Sequence, residues 1–193
     1  MFETLIGPQG RNSLTAHSHA SSDDPTHDHM HLDNDYSAFG GMMVPITPEL
    51  RTIIHQHLLS PQLIIPKEAK SVTHTYHLQM AYSIWKRHEG NSGVLFNGND
   101  TPFSIERMLQ FPADSNKQVL QGTWVIVRRH QYTAVSHDPY VEYPHLGMRM
   151  WDCALEPDLE AMPIECIHSH FAKCTIPWEG KNVAVVISLS WVC

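Results

Sequence analysis

The sequence predicts an α+β fold: a mainly antiparallel sheet with two or more short helices, behind a disordered N-terminal arm. Three observations point there. From Gly7 to Gly41 the chain is dominated by Gly, Ser, Asp, His and Asn, and such a segment cannot bury enough surface to offset the entropy of ordering it. Beyond it, stretches that alternate apolar and polar residues outnumber stretches with helical spacing. No regular helix follows each strand candidate, which favours antiparallel pairing over crossover connections. The 193 residues, 42% hydrophobic and 17% charged, divide into an arm, 1–40, and a single folded domain, 41–193.

The elements follow in order. Thr47-Pro48-Glu49 opens a helix: a hydroxyl cap, a proline at the first helical position and an acid in the first turn. Leu50, Ile53, Ile54 and Leu58 continue it at helical spacing, and it ends near Leu59. In "SVTHTYHLQMAYSIW" Val72, Tyr76, Leu78, Met80, Tyr82 and Ile84 share one parity, so the spacing predicts one long half-buried strand to Trp85 with Leu78 inside and Gln79 outside. Thr101-Pro102 repeats the helix-start device, and Ile105, Met108 and Leu109 predict a second short helix. "GTWVIVRRHQYTAV" reads as a long strand and "GMRMWDC" as a shorter one. "PIECIHSHFAKCTI" and "NVAVVISLSWVC" form a hairpin turned by "PWEGK".

Charge is placed unevenly. Residues 1–40 carry six acidic and one basic side chain, −5 of the total −7, leaving −2 on the body. Whole-chain charge therefore does not advertise a nucleic-acid binder. No apolar run approaches the ~18 residues of a membrane span, and "MFETLIGPQG" lacks a signal-peptide pattern. An intracellular, cytoplasmic chain is expected, in which the four cysteines are thiols or ligands rather than disulfides.

Four constellations carry candidate chemistry. In the arm, "THDHMHLDND" sets His27, His29 and His31 on alternate residues beside three aspartates. Such ligands bind divalent metals, but a site needs surroundings that fix them, so a solvated arm is expected. Cys166, His168, His170 and Cys174 share one parity and make a complete tetrahedral zinc set by type. A straight strand nevertheless spreads alternate side chains ~7 Å apart, and sheet packing explains the same letters. Lys86, Arg87, Arg128 and Arg129 suit phosphates of RNA or an anionic membrane surface. Walker, G-x-G-x-x-G, G-x-S-x-G and H-E-x-x-H signatures are missing, and no cofactor is expected.

The order of a flexible arm, the strand "VTHTYHLQMAYSIW", the helix "TPFSIERMLQF" and the strand "GTWVIVRRHQYTAV" resembles the matrix proteins of rhabdoviruses over Val72 to Val135. "YPHL" is similar to a YPxL budding motif, with Tyr143, Pro144 and Leu146 as its partner-binding residues. The resemblance implies a non-enzymatic, self-associating virion protein that contacts nucleoprotein and membrane. Arms in that family are commonly basic and carry PPxY or PTAP; this one is acidic and has neither. The expected function is a structural or interaction protein that self-associates or binds a partner. The alternative is a zinc-dependent hydrolase using His/Cys ligands.

Overall fold

The computed structural model describes residues 41–58, 62–96, 99–115, 118–133 and 137–189; the arm and its histidines lie outside them. Strand β1 (Met42–Pro45) leads into helix α1 (Pro48–His57), where the Thr47 hydroxyl accepts from the Leu50 amide as the spacing predicts. Such a cap contributes roughly 1 kcal/mol. Ten further strands follow: β2 (Glu68–Val72), β3 (His74–His77), β4 (Met80–Ser83), β5 (Gly93–Phe96), β6 (Asn99–Phe111), β7 (Gly122–Tyr132), β8 (Met148–Leu155), β9 (Glu160–Pro163), β10 (Ile167–Trp178) and β11 (Lys181–Ser188). All strand pairings are antiparallel. The expected second helix is absent among the described residues; the other helical pieces are 3-10 turns of three or four residues.

Strands β6 and β7 are the spine. They pair with each other from Phe103↔Arg129 to Phe111↔Gly122. At one end they are flanked by β5 and β8, and β5-β10-β11-β8 closes the circuit into a six-stranded barrel. At the other end β2 continues along the edge of β6, and β9 along the edge of β7. This open half is covered by α1, whose Leu50 and Ile54 pack with Leu109, Phe111, Trp124, Ile126 and Ala161. Each such fully buried side chain stabilises by roughly 1.5–3 kcal/mol. On the opposite face Tyr82, Phe103, Ile105, Met108, Val125 and Val127 form a second apolar layer.

Two expectations fail, each for an identifiable reason. The segment read as a second helix is β6. Its register against β7 slips between Ile105 and Arg107, and the extra residue brings Ile105 and Met108 into one apolar layer while Leu109 enters the other. A bulged strand with both faces buried thus imitates helical spacing. Pro102 lies in register with Leu95 of β5, one residue before the β6–β7 pairing begins at Phe103, near the strand end where a proline is tolerated.

The long strand from Val72 to Trp85 is instead the end of β2 and a separate β3–β4 hairpin. The pairings His77↔Met80 and Thr75↔Tyr82 enclose a two-residue turn at Leu78-Gln79, both with positive φ, 48° and 66°. Cross-strand partners share a face, so Tyr82 lies with Thr75 and Tyr76 with Ala81, and the single parity breaks. Tyr82 is fully buried, stacked on His170 with ring centroids 4.5 Å apart. Leu78, expected inside, is 75% exposed. The β10–β11 hairpin and its Glu179-Gly180 turn match the sequence reading.

Candidate functional site

Regular alternation along β7 places Trp124, Ile126, Arg128 and His130 on one face. The first two lie under α1; the last two reach the open end of the barrel. There a cavity of about 460 Å³ is lined by residues from β5, β6, β7, β8 and β10, with Trp85 and Glu89 at its rim. Its size falls in the range of small-ligand pockets.

The cavity is built around charge. The β6 bulge re-aims Glu106, whose carboxylate lies 3.5 Å from Arg128 Nε across the strand pair. That Nε is shut off from solvent and makes no hydrogen bond, so the contact is a charge pairing only. Across the rim Lys173 Nζ lies 2.9 Å from Glu89, and this hydrogen bond and charge hold the Glu89 carboxyl below its usual range. His130 is 3% exposed, its Nδ1 3.2 Å from the Asp152 carbonyl oxygen. A carbonyl only accepts, so Nδ1 carries the proton and Nε2 the lone pair. Burial, partly offset by that bond, depresses the imidazole's pKa and keeps it neutral. Phe171 lies edge-on to His130 at 6.0 Å. Its ring fits because Gly93 has no side chain: a Cβ there would meet ring carbons at 2.8–3.1 Å.

The four cations expected to bind anions do not form one patch. Arg128 turns inward to Glu106. Arg129 faces the opposite side, where Nε and Nη2 donate to Glu160 at 3.1 and 2.8 Å and the guanidinium sits 5.5 Å over the Phe103 ring. Neighbours in a strand point apart, and each arginine has met its own carboxylate. Lys86 and Arg87 lie on the exposed segment after β4, with Arg87 donating to the Thr73 hydroxyl at 3.0 Å.

The Cys/His set is not assembled either. Cys166 sits in a 3-10 turn, where burial and Glu165 push its thiol pKa up. His168 and Cys174 are exposed on β10, and His170 Nδ1 pairs with the Gly93 carbonyl at 3.1 Å. A register slip between Ile167 and Ser169 breaks the parity that would have aligned them. Among the described residues no three His, Cys, Asp or Glu side chains converge as metal ligands. Tyr143, Pro144 and Leu146 occupy a 3-10 turn with Tyr143 and Leu146 half exposed, and Gly147 closes it at φ 59°.

Glu89, Glu106 and Lys173 escaped sequence reasoning because they come from separate elements, and the bulge that aims Glu106 has no local signature. The chain matches no protein-family model, no curated protein and no solved structure.

Proposed function

We propose that the chain is a non-catalytic interaction protein that docks on an anionic lipid surface through the β3–β4 hairpin. The observation that carries this reading is Leu78, a large aliphatic side chain three-quarters exposed on a left-handed backbone that disfavours it. Its neighbours complement such a surface. Residues 69–88 hold no acid, yet include Lys70, Lys86, Arg87, His74, His77 and His88 in a chain of net charge −7. Tyr76, about half exposed, stands beside the tip.

An apolar tip reaches the acyl boundary, a tyrosine suits the headgroup layer, and each nearby Lys or Arg contributes about 1 kcal/mol at an anionic leaflet. RNA phosphates would satisfy the same cations but offer Leu78 no apolar environment, so lipid is the favoured partner. Attachment of this kind is peripheral; no helix among the described residues is long and apolar enough to cross a membrane. A matrix-like role beneath a membrane is the wider proposal into which this surface fits.

The test is cosedimentation with phosphatidylcholine vesicles, with and without phosphatidylserine, at low and high salt. Binding should require phosphatidylserine and weaken as salt screens the cations. Equal binding to both vesicles, or a gel shift with RNA and no vesicle binding, would overturn the reading.

A further inference from the structure

The barrel mouth offers a cavity lined by residues other than those of the β3–β4 turn. Glu106 is mostly buried, its side chain 19% exposed, and its one partner among the described residues is Arg128 Nε at 3.5 Å. A carboxylate has about four acceptor positions, so this one is under-bonded where a missing hydrogen bond is costly. The cations nearby are less available than the acceptors. Lys173 is already held by Glu89, and Arg128, whose Nε is closed to solvent, is not among the residues that line the cavity. Two aromatic side chains, Trp85 at the rim and Phe171 within, also border the space.

We propose that the barrel mouth binds a small organic cation with N–H donors and an aromatic body, an arylalkyl ammonium by class. Its ammonium donates to Glu106, and the ring lies against Trp85 and Phe171. The neutral His130 ring, with Nε2 unprotonated, adds no positive charge to oppose the ligand. Size agrees, since a single ring with a two-carbon ammonium arm fits easily within about 460 Å³. Selectivity follows from the under-bonded acceptors, because an ammonium brings the N–H donors that Glu106 lacks and a carboxylate brings none.

The probe is phenethylammonium, titrated calorimetrically into the full chain near pH 7, with 3-phenylpropionate and butylammonium as counter-probes. Phenethylammonium should bind one to one, at least tenfold more tightly than either. Glu106→Gln keeps the shape and removes the charge, and should weaken binding at least tenfold. Should that variant fail to fold by circular dichroism, Trp85→Ala at the exposed rim takes its place, with an expected loss of about threefold or more. No saturable binding, tighter binding of 3-phenylpropionate, or unchanged affinity in a folded variant would overturn the proposal. A variant altered at Leu78 and Gln79 should bind the probe as the natural chain does, so this site and the membrane reading fail separately.

Discussion

Two of this protein's hairpins, β3–β4 and β10–β11, turn on the same backbone and use it differently. Between β10 and β11 the two-residue loop is Glu179-Gly180, with φ of 47° and 76°; between β3 and β4 it is Leu78-Gln79, with φ of 48° and 66°. Positive φ at both positions is the type I′ arrangement, whose twist matches the flanking strands and which favours Asn or Asp followed by Gly. The first loop places glycine where the left-handed backbone is costly for any other residue. Glu179 bears that cost once in the first loop; the second loop bears it at both positions, on the order of 1 kcal/mol per residue, and displays a leucine to solvent. Backbone chemistry accounts for the glycine of the one turn; the exposed leucine of the other is the side chain that the proposed membrane contact would use.

The largest expected effect lies at the root of the β3–β4 hairpin. Tyr82 is fully buried against His170, while Tyr76, also on that hairpin, is about half exposed. Tyr82→Ala should cost about 3–5 kcal/mol in urea unfolding, and Tyr76→Ala distinctly less, its side chain being about half exposed. Equal effects would mean the hairpin is not anchored by one face.

The turns themselves should respond with opposite signs. Gly180→Ala should destabilise by roughly 1 kcal/mol, because a Cβ enters the left-handed region although space is free around it. Gln79→Gly at the equivalent position should be neutral or stabilising, the relief being partly offset by the greater freedom of glycine in the unfolded chain. Losses at both positions would show that Leu78-Gln79 is not a strained turn.

Acid should act through the barrel side of the comparison, since Phe171 on β10 rests against His130. Burial holds the His130 pKa below its ordinary 6.5, so below that pH the unfolded chain binds a proton that the folded one resists. Stability should therefore be level above about pH 6.5 and fall as pH drops through the folded-state value. His130→Gln should flatten that slope even if it lowers stability throughout. An unchanged slope in the melting temperature against pH would remove His130 as its source.

The same contrast governs what the sequence disclosed. The turn in "PWEGK" was legible because Gly180 announces it, and α1 because Thr47, Pro48 and Glu49 do. Leu78-Gln79 carries no glycine, asparagine or aspartate, so the hairpin was hidden inside an alternation that only His74 interrupts. The β6 bulge hid a strand by shifting its pattern toward helical spacing. Adjacent positions in a strand place Arg128 and Arg129 on opposite faces, but their carboxylate partners, Glu106 and Glu160, come from other strands. Local chemistry marks caps and glycine turns; register slips and cross-strand charge pairs belong to the tertiary fold.

The most direct measurement joins stability and binding in one variant. Leu78→Asn with Gln79→Gly installs the favoured turn sequence and removes the apolar tip, leaving every cation in place. In the full chain, urea unfolding should show stability unchanged or raised by up to about 1 kcal/mol. Cosedimentation with phosphatidylserine-containing vesicles should fall at least tenfold. A stabilised variant that binds these vesicles as well as the natural chain would contradict the account, because the strained leucine would then serve no surface.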